Sequence, residues 1–306
     1  MNVPSLFRTA FTLIRLVAVL FSSFAAIIAT TLPMYLYHSY PAGELTLVLL
    51  LLLAGALLIH GFLTHILNDY TDSMSCTDDK SPGILSGGSR IIQNNLVTAG
   101  TLLKIGVISI IIVLTAAIIL FFSGYIKISV LLLIGLWSSI TYSMPPLRLG
   151  YYPLVGEWFS MFPAVFFIGF AGPWIIMESP PLWAYQNALL IALFTQAWVM
   201  VHHIPDRFAD ENASPPKITT VVWLKNKFGD TYSRAPALLY FLLCSLCSLW
   251  IFAERPVAGA GAAVLSFVSI FIVLQLDLEH DGDVSQKEKM LLILTMIAAL
   301  WTGLFI

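Results

Sequence analysis

Long apolar runs, separated by short polar breaks, recur along the whole chain. Nine of them approach the ~20 residues that a helix needs to cross the hydrocarbon of a bilayer. They lie at about 14–36, 45–67, 101–122, 126–143, 153–176, 186–205, 235–253, 257–276 and 288–306. The pattern predicts an all-α membrane protein, a bundle of nine transmembrane helices with a central cavity. No linker divides it, so residues 1–306 are read as one domain. The polar breaks are unequal. Stretches 68–100 and 206–234 are long and carry most of the acidic residues. Long loops that concentrate charge are where function is expected.

Composition agrees with this picture. Of 306 residues, 58% are apolar and 10% charged, where a soluble domain is about one-quarter charged. A net charge of −2 points to no nucleic-acid or acidic partner. The first apolar run is too long for a removed signal peptide and reads as a retained helix. With a cytoplasmic N-terminus, Arg8, Arg15, Lys80, Arg90, Lys104, Arg148, Arg207, Lys217, Lys225, Lys227, Arg234, Lys287 and Lys289 fall inside, and only Lys127 and Arg255 fall outside. That asymmetry predicts an inner or plasma membrane protein with both acidic loops cytoplasmic and the C-terminus outside. Three cysteines suggest no disulfide framework. Cys244-x-x-Cys247 lies in an apolar run without a second ligand pair and reads as helix packing.

The ends of the second and sixth runs match. One reads His65-x-x-Asn68-x-x-x-Asp72, the other His203-x-x-Asp206-x-x-x-Asp210. The i, i+4 spacing places each oxygen-bearing pair on one helical face. Both runs travel in the same direction, so the two pairs meet at one end of the bundle. Carboxylates facing each other repel unless a cation sits between them. Magnesium fits, since it prefers oxygen ligands and bridges carboxylates to substrate phosphates. Arg90, Arg148 and Lys217, all on the same side, are candidates to clamp those phosphates. The alternative is a set of solvated helix ends. Basic residues usually flank membrane spans, and spaced acidic pairs are costly without a partner, which favours ligation.

At these residues the chain resembles the UbiA superfamily of intramembrane prenyltransferases, which carries NDxxDxxxD after its second helix and DxxxD after its sixth. "NDYTDSMSCTDD" supplies Asn68, Asp69 and Asp72, with Cys76 at the fourth position and Asp78 and Asp79 just beyond. Asp78 matches a spacing found in the branch that prenylates 1,4-dihydroxy-2-naphthoate on the way to menaquinone. "HHIPDRFAD" supplies Asp206 and Asp210, and "YSMPPLRLGYYPLVGE" (Tyr142 to Glu157) resembles the family's Y-[ST]-x-P-P-x-R-L segment. His202 and His203 depart from the asparagines usual in that branch. "ENASPPKITTVV" after Asp210 is longer than the usual run, and the Arg-rich tail of other branches is absent.

The resemblance implies magnesium-dependent transfer of a polyprenyl group from its diphosphate to an aromatic acceptor of the quinone-precursor type. Asn68, Asp72, Asp78, Asp206 and Asp210 would hold Mg2+, and Arg90, Tyr142, Arg148 and Lys217 would contact diphosphate. Asp69 would join Asp72, Asp206 and Asp210 in catalysis, helping to deprotonate the acceptor. The prenyl tail would lie among the helices, open to the lipid bilayer.

Other residues have plainer readings. Glu157 either caps a helix start or faces the acceptor pocket. His60, His65, His202 and His203 read as packed, hydrogen-bonded histidines, and the aromatics as packing and an interfacial belt. "HDGDVSQKEK" around Asp281 and Asp283 reads as a solvated loop. Two rival functions remain: a prenyl-diphosphate cyclase, which needs no acceptor, and an ion-coupled transporter.

Overall fold

The computed structural model describes residues 15–82 and 85–306. Arg8, one of the predicted inside basic residues, and the first residue of the first predicted span lie outside the described residues. Nine long helices follow in order among them: α1 Leu16–Tyr37, α2 Ala42–Met74, α3 Ala99–Phe122, α4 Ile126–Ser143, α5 Glu157–Ile176, α6 Leu182–His202, α7 Asp230–Glu254, α8 Pro256–Leu274 and α9 Asp281–Leu304. The first eight are long and apolar enough to cross a membrane. The ninth is 24 residues long, but Asp281, Asp283, Lys287, Glu288 and Lys289 crowd its first turns. The expected count of nine spans therefore stands at eight by length and composition.

The stretch from Asp281 is helix, not the solvated loop expected from its charges. Asp281 and Asp283 occupy the first turn, where the helix dipole favours negative charge. Asp283 also pairs with Lys287 one turn on, at 2.7 Å. Short helices interrupt the long polar stretches too, at Thr77–Lys80, Arg207–Glu211 and Thr220–Phe228. Thr219 caps the last of these, accepting from the Val222 amide at 3.3 Å.

The most apolar span is the least buried, and the least apolar span the most buried. In α6, 83% of the most apolar 18-residue stretch is buried, against 11% in the more apolar α3. With lipid as the outer solvent, apolar faces turn outward and polar groups turn in, where protein atoms satisfy them. Ile108, Ile111, Ile112 and Ile119 of α3 are exposed. Within α6, Asn187 donates to Ala29 O and Thr302 O at 2.8 and 3.0 Å, and Gln196 to Glu157 O at 2.7 Å. Helix α6 thus forms the hub, packed on α1, α5, α7 and α9. Helices α7 and α8 form a tight hairpin. A Cβ at Gly259 would lie 2.3 Å from the Phe252 backbone, so only glycine permits this approach.

The helix directions put α2 and α6 C-termini at one end of the bundle. Arg255 reaches Gln186 and Asn187 near the start of α6, and Lys127 starts α4. By helix rise both lie more than ~20 Å from the acidic end. The two basic residues expected on the outer side therefore share the end away from the acidic loops.

Candidate active site

A cavity of about 630 Å³ runs down the bundle between α1, α2, α4, α5, α6 and the start of α9. Its mouth is polar, formed by Asn68, Asp72, Tyr142, His203, Asp206 and Lys217. Its body is apolar, formed among others by Leu52, Ala56, Ile59, Leu131 and Ile168. Leu52 and Asp72 are separated by about 30 Å of helix α2. Wide π-helical turns at Leu20–Phe24, Leu57–Thr64 and Glu157–Met161 all border the cavity. Such turns re-aim side chains and recur at functional sites.

At the mouth, the spacing in α2 acts as expected. Asn68 donates to Asp72 across one turn at 2.9 Å, while its own carbonyl oxygen accepts from Ser143 at 3.0 Å. The second motif differs. Helix α6 ends at His202, and Asp206 stands just before the short helix that carries Asp210, without capping it by its side chain. The long run after Asp210 folds back, with the Lys217 amide donating to Asp210 O at 2.9 Å. That return inserts the Lys217 ammonium between the motifs, 3.3 Å from Asp72 and 3.5 Å from Asp210.

Residues 85–90 lie across both motifs. The Gly87 amide donates to Asp206 at 3.2 Å, and the Ser89 amide and hydroxyl donate to Asp69. Ser81 donates to Asp206 as well. Gly88 has φ +74, and a Cβ there would lie 2.3 Å from the Asp78 carboxylate. Glycine is required both by the backbone and by the acid beneath it.

Asp78 is 2% exposed, whereas its neighbour Asp79 is exposed. Of the two residues beyond Cys76, only Asp78 is buried, beneath Gly88 and outside the cavity lining. Burial, with the Asp72 and Asp69 carboxylates nearby, pushes Asp78 up to about 8. Burial likewise raises Asp210 well above its ordinary value against the pull of Lys217, with Asp206 and Asp72 adding to the rise. For Lys217 burial alone would lower the ammonium, but Asp210 and Asp72 outweigh it and hold it charged. Burial and the Lys217 charge hold His203 neutral.

Asp69, assigned to acceptor deprotonation by the resemblance, has its carboxylate occupied. Arg15 approaches it at 2.6 Å and Ser89 bonds it from the other side. Arg90 donates to Ser81 O at 2.7 Å, and Arg148 stacks 5.4 Å over the Tyr151 ring. Neither arginine lines the cavity, whereas Lys217 and Tyr142 do. Tyr142 shares a hydrogen bond with His203 Nε2 at 3.1 Å. Glu157 both starts α5 and accepts from Thr220 at 2.6 Å, away from the cavity lining. Cys244 and Cys247 are free and buried in α7.

Five buried carboxylates (Asp69, Asp72, Asp78, Asp206 and Asp210) thus meet two paired cations, Arg15 and Lys217. Both oxygens of Asp210, which is 0% exposed, lack a hydrogen-bond donor. Among the described residues no three His, Cys, Asp or Glu side chains stand close enough together to enclose a metal ion. A buried carboxylate that meets the Lys217 charge at 3.5 Å but has no hydrogen-bond donor, in an all-oxygen donor set, nevertheless fits a hard divalent cation. Lys217 holds the space between the motifs.

Several of these contacts join residues too distant in the chain for pattern reading. Arg15 and Asp69 are 54 positions apart, and Ser81 and Asp206 are 125 apart. Arg15 is legible only as a basic residue at a helix start.

No family model and no curated protein matches the chain. Its fold is shared with a solved UbiA homolog from Archaeoglobus fulgidus bound to GPP and Mg2+, at TM-score 0.62 and 16% identity over 95% of this chain and 99% of that one. The bundle is a UbiA-like membrane fold.

Proposed function

We propose that the protein is a magnesium-dependent prenyltransferase that moves a prenyl group from its diphosphate to a hydroxylated aromatic acceptor. The observation that carries this reading is one cavity with two ends: an acidic, lysine-bearing mouth and a long apolar body. A prenyl diphosphate has the same division. The ligands of the Archaeoglobus structure, GPP and Mg2+, support the reading.

Asn68, Asp72, Asp78, Asp206 and Asp210 would hold magnesium. When bound, the metal supplies charge neutralisation to a diphosphate leaving group. Lys217 and Tyr142, already in the cavity, contact the diphosphate oxygens. Arg90 and Arg148, outside the lining, draw the anion inward at longer range. Burial of the apolar body keeps water from the allylic cation that ionisation leaves. Asp69 acts as a tie between α1, α2 and residues 85–90, because its oxygens are taken. A quinone precursor such as 1,4-dihydroxy-2-naphthoate is the first acceptor to test.

The test uses purified protein in detergent with geranyl diphosphate and Mg2+. Pyrophosphate release is measured, and products are identified by mass spectrometry with a panel of hydroxylated aromatic acids. Release that disappears with EDTA, together with a prenylated acceptor, is expected. A cyclic hydrocarbon formed without acceptor would move the assignment to a cyclase. Absence of any release would sink it.

We assign the acidic end to the cytoplasmic side, from the distribution of basic residues. In a cysteine-free background, Lys80→Cys and Ser214→Cys should label with an impermeant maleimide only after the cytoplasmic face is opened. Ser179→Cys should label in intact cells. Lys80, Ser214 and Ser179 are all exposed, whereas Ser81 is buried against Asp206. Labelling of the first two from opposite faces overturns the assignment.

A further inference from the structure

Helix α9 brings one more carboxylate to the cavity. Glu288 is 1% exposed, lines the cavity, and lies 2.8 Å from His202 Nδ1 across the α6–α9 contact. Its second oxygen, Oε2, is buried and has no partner. The His202 ring stands edge-to-face against Trp198, at 5.8 Å and 78°. His202 also lines the cavity, and its Nε2 has no protein partner among the described residues.

We infer that His202 and Glu288 form the dyad that accepts the acceptor's proton. This rests on the prenyl-transfer reading. In a neutral ring, a carboxylate accepting from Nδ1 selects the tautomer whose lone pair is on Nε2, the nitrogen left for a ligand of the cavity that His202 lines. The same carboxylate stabilises the imidazolium once a proton arrives, the arrangement of a base held by an orienting acid. A plain helix–helix tie would not need a carboxylate with one oxygen left unsatisfied, which is costly in a buried setting. The other bases in reach are less suited. Asp69 is bound by Arg15 and Ser89, and His203 Nε2 is bound to Tyr142. His60 and His65 meet Ser23 and a backbone carbonyl, with no carboxylate to support a charge.

The step balances without an oxidant or reductant. The prenyl C1–O bond breaks, and its electron pair leaves on diphosphate. A ring carbon of the acceptor forms the new bond to C1 as its hydroxyl proton moves to His202 Nε2. The proton on the newly substituted carbon then returns to the oxygen by tautomerisation. The imidazolium proton passes to water as product departs. The substrate class implied is an acceptor with an acidic aromatic hydroxyl.

Two readouts separate this role from the rest of the reaction. Pyrophosphate release from geranyl diphosphate and Mg2+ without acceptor reports ionisation, and prenylation of the phenolic acid that wild type accepts best reports transfer. His202→Gln keeps a donor toward Glu288, and Glu288→Gln keeps the shape, so both preserve the α6–α9 contact. Transfer should fall about 10²–10⁴-fold in His202→Gln, with release changed less than about threefold. Glu288→Gln should fall in the same direction by less, and free imidazole should restore transfer to His202→Ala. Unchanged transfer in both Gln variants overturns the dyad. So does a parallel loss of release and transfer without imidazole rescue. Wild-type protein that releases pyrophosphate yet prenylates no hydroxylated aromatic also overturns it. Wild-type protein that releases none instead removes the prenyl-transfer reading itself, a result seen before any variant is made.

Discussion

The two acidic motifs look like twins in the chain and are opposites in the fold. At the end of α2, Asp69 is bonded by Arg15 and Ser89, and Asp72 by Asn68 and Lys217. At the end of α6, Asp206 is bonded by Ser81 and Gly87, but both oxygens of Asp210 are left without donors. The first motif is a fully bonded joint, with Asn68 and Asp72 shared with the cavity mouth. In the second, Asp210 meets the Lys217 ammonium at 3.5 Å without a hydrogen bond. If the proposed function holds, the difference separates residues that hold the fold from residues that take a cation, and substitution should expose it.

The largest effect is expected at the unsatisfied carboxylate. Asp210→Asn should lower Mg2+-dependent pyrophosphate release by about 10³-fold or more, several kcal/mol of lost charge stabilisation. Its melting temperature should hold, because Lys217 keeps its bonds to Asp72 and the amide replaces a buried carboxylate that has no hydrogen-bond donor. Retained turnover, or a large loss of stability, would erase the contrast between the motifs.

Asp69→Ala should do the reverse. It strands Arg15 and frees Ser89, with a cost of roughly 3 kcal/mol read from thermal unfolding in detergent. A variant of normal stability that lacks activity would make Asp69 a functional residue like Asp210.

Proton competition should set the pH dependence of metal binding. Asp78 is pushed up to about 8, and Asp210 is also raised, so both carry protons at lower pH in the metal-free protein. A cation must displace those protons. Apparent Mg2+ affinity should therefore increase as pH climbs from about 6 through 8, and Asp78→Asn should flatten the upper part of that rise. Affinity that falls over the same range would contradict the placement of Asp78.

Smaller effects are expected along the loop between the motifs. Gly88→Ala should cost about 1–3 kcal/mol through its positive φ and the Asp78 contact. Cys76→Ser should change stability and activity little, within about 0.5 kcal/mol, since Cys76 is exposed and free. A strong Cys76 effect with a silent Gly88 would mean that residues 85–90 do not press on the first motif.

Much of the architecture was legible because lipid imposes a simple rule. A helix that spans hydrocarbon satisfies its backbone internally and must be long and apolar, so the runs mark α1 to α8. The last helix was read late, from 288 rather than 281, because charges in a first helical turn look like loop until the dipole is considered. The i, i+4 pair of Asn68 and Asp72 was legible because one turn of helix brings the two together. Asp206 and Asp210 were legible as a pair, but not the break after His202 that separates them from α6.

From the sequence alone came the helical membrane class, the polar end of the bundle and the two acidic motifs, since each depends on local spacing or on solvent. Only the tertiary structure decided which acids are hydrogen-bonded and which meet only a charge. Arg15 closes on Asp69, Lys217 enters between Asp72 and Asp210, and His202 meets Glu288 across 86 positions of chain. Those contacts depend on how helices cross and loops return, and a periodic pattern holds no record of the distance between separate faces.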